Sequence, residues 1–493
     1  MGEISTELYK QHAANALDDE VLQNALSDVQ NRLGPATARM YRELPEGLEL
    51  RQKGHEIREY AINHLDILLQ TLAEKIRDRG GKVFFAEDAK AATAYCLDVA
   101  RQNRVKMVVK GKSMVTEEIG LNGILEQNRI EVNETDLGEY IIQLAGETPS
   151  HIIAPAIHKT RKEVAQLFSE KLNIPYCEDP PVLTRAARKA LREKFLAADM
   201  GLSGCNLACA ETGHITTVSN EGNIRMSTTL PKIHMVFMGM ERVVASLADH
   251  DILFRLLSRG AAAQNMAGYV SYIGGPRTDD ELDGPDQFHL VILDNGRSKI
   301  LADPQFREIL YCIRCAACLN VCPAYGKIGG HSYGHTYSGP IGAVITPLFV
   351  GVNRAKHLFQ GEPLCGACKE ACSVNIDLPR MLLALRARLA DGDPKRGVQP
   401  ASASEKYLFR IWSIIIRNRK IYDLALKLGG LIQKVLPRHN GLISKLPFGL
   451  KGWTQSRDLV PIAPASFLTQ YRKSRMKQQK IDSDTPRGPD NER

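Results

Sequence analysis

The chain has 493 residues, of which 44% are apolar and 24% are charged. This composition is typical of a globular protein, and the length allows two or three domains. Eleven cysteines are too few for a disulfide scaffold of this size. The first residues lack the basic and apolar stretches of a signal peptide, and no apolar run is long enough to span a bilayer. We therefore expect a cytoplasmic protein in a reducing compartment.

The N-terminal segment, residues 1–80, is predicted to be helical. Between residues 56 and 76, apolar side chains recur at steps of three and four, as on one face of an α-helix.

Residues 81–300 alternate short apolar runs with helical patterns. The predicted strands are 82–86, 105–109, 130–132, 152–154, 215–219, 235–239 and 290–293, and the predicted helices include 90–101, 117–127, 159–171 and 185–198. This alternation predicts an α/β domain with a mostly parallel sheet covered on both faces. Ligands of such domains usually lie beyond the carboxyl ends of the strands.

Lys112 and Ser113 follow one of these predicted strands and open a helix. A lysine and a hydroxyl at a helix N-terminus could hold an anion. The alternative is an ordinary turn in which Thr116 caps the helix. The stretch does not match the P-loop pattern of nucleotide-binding proteins.

Two further polar motifs are candidate ligand contacts. Glu211 and Thr212 lie in a turn before a predicted strand, and Lys232 lies just before another. Each could touch a ligand, or could be a turn or structural residue with no further role.

Residues 301–395 carry the most specific motif, a C-x2-C-x2-C-x3-C-P run and a second, shorter cysteine group: Cys312, Cys315, Cys318 and Cys322, then Cys365, Cys368 and Cys372. In bacterial ferredoxins with this spacing, three thiolates bind one [4Fe–4S] cluster and the fourth binds the other cluster. A zinc site would need only four thiolates at a different spacing. The remaining four cysteines are expected to be small buried residues.

The crossing of ferredoxin ligands predicts one complete site and one incomplete site. Cys312, Cys315, Cys318 and Cys372 form the complete set, whereas Cys322, Cys365 and Cys368 lack a fourth cysteine. Glu362 stands where that cysteine would be, and Ser373 stands where a proline usually follows Cys372. Glu362, a water or another group could complete the second cluster, or the cluster could be [3Fe–4S]. An open iron could also bind substrate, but we favour electron relay, since ligation, burial and hydrogen bonding set the potential.

Helical patterns at 306–319 and 378–389 flank the cysteines and predict an α-helical ferredoxin-type module. The glycine-rich stretch 329–340 is expected to be a flexible loop that folds over a cluster.

Residues 396–493 form a basic segment. Between residues 405 and 480 there are 16 Lys and Arg and three acidic residues. Apolar and basic residues mix at helical spacing over 408–436. We expect a helix that contacts a partner protein or an anionic membrane surface, or packs on its own chain. No nucleic-acid-binding signature accompanies the charge. The polar end from residue 472 is expected to be disordered.

Residues 111–120, 150–160 and 211–232 together resemble the LUD (lactate utilisation) domain. With the cysteine groups behind them, they resemble the lactate utilisation protein B (LutB) family, the iron–sulfur subunit of the LutABC system, over most of residues 50–390. The resemblance implies an α/β domain of the NagB/ribose-5-phosphate isomerase-like kind and two clusters with the ligand sets given above. The basic segment beyond residue 405 is longer than this resemblance leads us to expect.

The resemblance also implies a role in the oxidation of L-lactate to pyruvate. The implied partners are a cysteine-rich-domain (LutA-like) subunit and a second LUD-domain (LutC-like) subunit. Because no G-x-G-x-x-G fingerprint is present, we expect the hydride-accepting chemistry to lie elsewhere and this chain to be a non-catalytic electron-transfer subunit. It would be cytoplasmic, and peripheral to the inner face of the membrane if the basic segment binds lipid.

Three alternatives remain. The LUD domain could be an enzyme acting on a phosphorylated sugar or an acyl compound, with clusters that regulate it. The chain could carry electrons for another 2-hydroxy acid, such as glycolate. The clusters could also be purely structural.

Overall fold

The computed structural model describes residues 6–400, 402–454, 457–463 and 465–484. The chain divides into two compact units, Met1–Pro400 and Ala401–Arg493.

Four helices open the first unit: α1 (Tyr9–Asp18), α2 (Glu20–Glu43), α3 (Gly47–Asn63) and α4 (Leu65–Asp78). The helical N-terminus is therefore confirmed, but the continuous helix predicted over 56–76 is wrong. The break lies at His64, whose φ of −125° leaves the helical region. Helix α3 buries two arginines, Arg51 and Arg58, on its inner face beside Ile57 and Ala61.

A six-stranded sheet forms the centre of the first unit, and all its neighbouring strands are parallel. In the order of the sheet, the strands are β1 (Lys82–Ala86), β10 (Gln287–Leu293), β7 (Ile233–Gly239), β4 (Met200–Gly204), β2 (Met107–Lys110) and β3 (Glu131–Glu134). Every residue of β7 is buried, as expected for a parallel sheet covered on both faces. The predicted α/β class is confirmed.

A second sheet of four short strands was not predicted. Its order is β8 (Val243–Val244), β5 (Leu207–Cys209), β6 (His214–Ser219) and β9 (Tyr269–Ile273), and only the β5–β8 pair is parallel. The strand predicted at 152–154 is wrong, because this stretch is a turn in which the His151 ring accepts hydrogen bonds from the backbone N–H groups of Ile153 and Ala154, both at 3.0 Å.

The helices around these sheets are α5 (Ala89–Gln102), α6 (Met114–Glu118), α7 (Leu121–Gln127), α8 (Leu137–Ala145), α9 (Arg161–Leu172), α10 (Pro180–Ala197), α11 (Asn223–Thr229), α12 (Leu247–Ala262) and α13 (Arg297–Leu301). The helix predicted at 117–127 is divided between α6 and α7 by Gly120, which has a φ of 63°. Ser113, and not Thr116, caps α6: its hydroxyl accepts the Thr116 N–H at 3.3 Å.

The cysteine-bearing segment contains five helices: α14 (Tyr325–Ile328), α15 (Gly339–Val350), α16 (Lys356–Gly361), α17 (Ala367–Glu370) and α18 (Leu378–Asp391). Helix α18 matches its prediction, but the helix predicted over 306–319 is wrong. Only a 3₁₀ turn, Arg307–Tyr311, precedes the first cysteine. The stretch 329–340, predicted to be a flexible loop, instead includes a 3₁₀ turn and the start of α15, and it buries Tyr333 and Tyr337 completely.

The second unit contains α19 (Ala403–Arg417), α20 (Arg419–Ile432), a two-stranded pair β11 (Arg438–His439) and β12 (Leu442–Ile443), and α21 (Phe467–Asp484). The helix predicted over 408–436 is divided at Asn418, whose side chain caps α20. Disorder was predicted from residue 472, but α21 continues to Asp484; residues 485–493 lie outside the described residues. Of the helices in the described part of the chain, none has both the length and the apolar character that a bilayer span requires.

Candidate iron–sulfur centre

The first cysteine run forms an irregular loop rather than a helix. Arg314 and Ala316 lie between its cysteines, and both have a φ of 61°. These left-handed positions curl the backbone, and they cost energy for residues other than glycine. The backbone N–H of Arg314 donates to Cys312 Sγ at 3.4 Å, a contact of the kind that supports a cluster thiolate.

The four cysteines of the predicted complete site line one small cavity, although Cys372 is 54 residues beyond Cys318 in the chain. The other lining residues are largely apolar, among them Ile152, Ile341 and Leu378. A Cβ at Gly260 would lie 3.1 Å from Cys315 Sγ, so only glycine leaves room for the thiol there. Four sulfurs around an apolar cavity are a donor set that fits a cubane cluster.

Burial keeps the thiols of Cys315, Cys318 and Cys372 protonated in the absence of iron. Burial, and then the nearby Cys315 and Cys312, raise the pKa of Cys372 to about 12. The pKa of Cys318 is raised for the same reason, by burial and then by Cys312, Cys315 and Cys372. Iron must therefore displace these protons when it binds, which makes assembly dependent on pH.

Helix α3 holds both cysteine loops, and sequence reasoning missed its role. The Arg51 guanidinium donates to the Cys372 and Glu370 carbonyls at 2.6 and 2.7 Å, and the His55 ring lies 2.9 Å from the Val374 carbonyl. One turn further on, Arg58 donates to the carbonyls of Tyr311 and Leu310, just before the first cysteine. The spacing of residues 51, 55 and 58 on one helix face was the available signal.

Ser373 is also part of the first site. It is completely buried, and its hydroxyl lies 3.1 Å from Cys315 Sγ and 2.7 Å from the Tyr41 hydroxyl. Tyr41 lies on α2, so the N-terminal helices contact this site at a second point.

The remaining cysteines gather around a buried carboxylate. Cys322 Sγ lies 3.3 Å from Glu362 Oε2, 40 residues away in the chain. Burial, followed by the charges of Glu362 and Cys365, raises the pKa of Cys368 to about 12, so these three residues are also neighbours. The Tyr325 N–H donates to Cys322 Sγ at 3.4 Å. The structure thus brings the three cysteines of the incomplete set together with Glu362.

Buried arginines place positive charge next to the first site. Arg242 donates to the Cys312 carbonyl at 3.2 Å, and Arg314 stacks on the Tyr337 ring at 4.2 Å. Their counter-ion is Glu241: although burial opposes its ionisation, Arg297, Arg242 and Arg314 lower its pKa to about 2. Positive charge beside a cluster favours its reduced form.

The same arginines connect the first site to the α/β domain. Arg297 contacts Glu118 of α6 through two hydrogen bonds of 2.9 and 2.8 Å, and contacts Glu241 at 2.7 Å. The Tyr337 hydroxyl donates to the same Glu118 at 2.6 Å. The segment between the two cysteine groups is thereby fixed to the end of the parallel sheet.

A wide cleft lies beyond the carboxyl ends of β2 and β3, where a ligand of an α/β domain is expected. Its described lining contains no lysine or arginine. It contains four histidines and many carboxylates: His12, His151, His331, His335, Asp19, Glu117, Glu118, Glu126, Glu134, Glu139 and Glu147. Five of the seven carboxylates are paired with cations: Lys110 contacts Glu117 and Glu134, Lys112 contacts Glu139, Lys159 contacts Glu147, and Arg297 contacts Glu118.

The predicted ligand contacts of the α/β domain do not lie together. The Lys112 ammonium is buried 3.9 Å from Glu139, just after β2, and Ser113 caps α6. Lys232 is exposed and precedes β7. It therefore lies at the amino ends of the parallel strands, whereas Lys112 lies at their carboxyl ends. Their roles as ligand contacts stay predictions.

Glu211 and Thr212 lie in the turn that joins β5 and β6 of the second sheet. Glu211 Oε2 accepts the Leu247 N–H at 2.8 Å at the start of α12, and the Thr212 carbonyl accepts from Arg79 at 2.7 Å. These contacts are structural, and a ligand role for the two residues also stays a prediction.

Comparison with known proteins decides the family. The LUD domain family matches residues 69–293, the 4Fe-4S dicluster domain matches 308–376, and the C-terminal domain of lactate utilisation protein B matches 387–476. Lactate utilization protein B of Bacillus velezensis is 43% identical over 476 residues, covering 96% of this chain and 98% of that protein. The chain belongs to the lactate utilisation protein B family. The protein of the same name from Bacillus subtilis is also 43% identical, over 95% of this chain and 96% of its own length.

Membership of the LutB family confirms the resemblance found in the sequence and the combination of a LUD domain with a ferredoxin-type module. It corrects one expectation, because the basic segment beyond residue 405 falls within the family's own C-terminal domain. A crystal structure of a duf162 family protein from Deinococcus radiodurans covers 46% of this chain and 98% of its own, at 12% identity and a TM-score of 0.27. The dicluster domain establishes iron–sulfur binding, whereas the assignment of each thiolate stays a prediction.

Proposed function

We propose that this LutB-family protein is the iron–sulfur electron-transfer subunit in the oxidation of L-lactate to pyruvate, which allows lactate to be used as a carbon source. The observation that carries the proposal is the gathering of cysteines distant in the chain into two sets, one around a single cavity and one beside Glu362. The names of the relatives supply the substrate.

The chemistry divides naturally between subunits. Oxidation of lactate to pyruvate releases two electrons and two protons, and each cluster accepts one electron at a time, so two clusters can take both electrons in turn. We propose that the step that removes hydride belongs to the partners of this chain, a LutA-like and a LutC-like subunit.

The test separates electron transfer from catalysis. The chain purified without oxygen should show cluster absorbance and, after reduction, EPR signals, but should not oxidise lactate alone. Adding the LutA-like and LutC-like subunits with L-lactate should reduce its clusters. Lactate oxidation by the isolated chain would contradict the proposal, and so would clusters that stay oxidised in the complete mixture while pyruvate accumulates.

We further propose that the second unit lies on an anionic membrane surface at the inner face. On α20 the exposed side chains of Ile421, Leu424, Leu428 and Leu431 follow one helix face, and α19 exposes Trp412 at 56%. The 16 basic against three acidic residues over 405–480 complement anionic headgroups. A cluster protein placed there could deliver electrons to a membrane-soluble acceptor such as a quinone.

A further inference from the structure

The second cysteine group follows the spacing of a ferredoxin run but has only three of its four cysteines. In a ferredoxin run, ligands occur at C-x2-C-x2-C-x3-C, and Cys365, Cys368 and Cys372 occupy the last three positions. Glu362 occupies the first position, three residues before Cys365. A carboxylate at that position is chemically able to bind iron, because carboxylate oxygens are iron ligands in many protein sites.

The structure places this carboxylate at the incomplete set. Glu362 is 5% exposed, and it follows the end of α16 in an extended conformation that ends the helix. Its Oε2 lies 3.3 Å from Cys322 Sγ, the cysteine that the ferredoxin crossing assigns to the same cluster. The spacing in the sequence and the position in the structure therefore point independently to Glu362.

Two neighbours hold the carboxylate in place. The Tyr333 hydroxyl donates to Oε1 at 2.9 Å, and the Arg386 guanidinium of α18 donates to the Glu362 backbone carbonyl at 2.6 Å. Tyr333 is completely buried and packs edge-on against Tyr9, with ring centroids 5.9 Å apart. Oε1 is thus already bonded to Tyr333, and Oε2 is the oxygen that contacts Cys322.

We propose that Glu362 is the fourth protein ligand of the second cluster and binds, through Oε2, the iron that has no cysteine. The inference rests on the proposed function only in requiring that the second cluster exists. Tyr333 acts as a positioning residue, since it fixes Oε1 and leaves the other oxygen for iron. The competing explanation is a protonated Glu362 carboxyl that donates a hydrogen bond to the Cys322 thiolate.

Three variants of the full chain distinguish these explanations: Glu362→Gln, Glu362→Cys and, as the control, Glu370→Gln. Glutamine keeps the shape of the side chain and can still donate a hydrogen bond, but it is a poor iron ligand. Cysteine restores the ferredoxin ligand. Glu370 is exposed in α17, in the same loop. Each protein is reconstituted without oxygen, with ferrous iron and sulfide, and examined by iron analysis and EPR.

If Glu362 is a ligand, the wild type and Glu370→Gln will hold about eight irons per chain and give no [3Fe–4S] signal when oxidised. Glu362→Gln will hold about seven irons and show that signal, and Glu362→Cys will return to about eight. If Glu362→Gln loses both clusters, the Glu362→Cys variant decides the question. Both clusters present in Glu362→Cys would support ligation by Glu362, and their absence would overturn it.

Two other results also overturn the inference. One is a Glu362→Gln protein with the iron content and spectra of the wild type, because a hydrogen bond would then be sufficient. The other is a wild type that keeps the [3Fe–4S] signal with excess ferrous iron. Neither result affects the electron-transfer proposal, which is tested separately by the presence of redox-active clusters in the wild type and by their reduction in the complete mixture with L-lactate.

Discussion

The Ser373 hydroxyl lies 3.1 Å from Cys315 Sγ, in a completely buried position where ferredoxin-type runs usually have proline. A cluster-bound thiolate can only accept, so Ser373 must donate, and the Tyr41 hydroxyl can in turn donate to Ser373 Oγ at 2.7 Å. Proline has no group that could do this. If Cys315 binds the first cluster as predicted, the serine adds a hydrogen bond to that cluster's thiolate.

Ser373→Ala should lower the reduction potential of the first cluster, because the lost hydrogen bond stabilises the more negative reduced state. A hydrogen bond contributes about 0.5–1.5 kcal/mol, or roughly 20–60 mV for one electron. EPR-monitored potentiometric titration measures the shift. Ser203→Ala, which removes an equally buried hydroxyl that contacts His234, is the control. An unchanged potential in Ser373→Ala would exclude this role.

Arg51→Ala should weaken the loop that carries Cys372. The substitution leaves the Glu370 and Cys372 carbonyls without their charged donor, and each such hydrogen bond contributes about 1.5–3 kcal/mol. We expect the free energy of unfolding to fall by roughly 3 kcal/mol and the first cluster to be lost faster in air. Thermal melting and the decay of the cluster absorbance measure both effects. Arg39→Ala, on the exposed face of α2, should change neither; equal effects of the two variants would refute the role of Arg51.

Much of this architecture could be predicted from the sequence, and the failures have physical causes. Strand β1 and helix α18 were predicted closely because their apolar patterns are local. Strand β4 was missed because Met-Gly-Leu-Ser-Gly dilutes the apolar signal with small residues, although the strand is almost wholly buried. The helix predicted over 306–319 fails because the cysteine loop needs left-handed residues at Arg314 and Ala316.

The candidate site was predictable to a similar extent. Cysteine spacing is a local signal, so both ligand sets could be predicted from it. The contacts of Arg51, Arg58 and Tyr41 with the cysteine loops span more than 200 residues of sequence. Only the fold brings such distant residues together, and a single sequence does not reveal which loop a buried arginine will contact.

The second unit should bind vesicles that contain phosphatidylglycerol and not vesicles of phosphatidylcholine alone, and salt should weaken the binding. Leu428→Glu should reduce the binding about tenfold or more, since burying a leucine is worth about 1.5–3 kcal/mol. Leu282→Glu, a fully exposed position in the first unit, is the control. Co-sedimentation of the full chain measures the affinity. The membrane proposal would be wrong if the chain did not bind anionic vesicles but bound a partner subunit tightly, and if Leu428→Glu abolished that binding. The second unit would then be a site for a protein partner.

His234 should make the protein less stable in acid. Burial, and then His289, lower the pKa of His234 to about 3, whereas the unfolded chain takes up this proton near pH 6.5. The stabilisation is therefore complete above about pH 6.5 and is lost as the pH falls towards 3, by about 1.4 kcal/mol per pH unit.

The His234→Asn variant tests this dependence. Its melting temperature should fall less than that of the wild type between about pH 7.5 and 5.5, whatever its stability at neutral pH. His439→Asn, at an exposed position of β11, should behave as the wild type. Parallel pH profiles of the wild type and His234→Asn would show that this histidine does not carry the effect.

The most direct test of the whole account is iron analysis combined with EPR during stepwise reduction of chain prepared without oxygen, for the wild type, Cys318→Ser and Cys96→Ser. Cys96 is a completely buried cysteine outside both sets. We predict two redox-active clusters in the wild type and in Cys96→Ser, and loss of the first cluster's signal, with about four irons, in Cys318→Ser. Wild-type protein that is folded but free of iron, or clusters that persist unchanged in Cys318→Ser, would contradict the account.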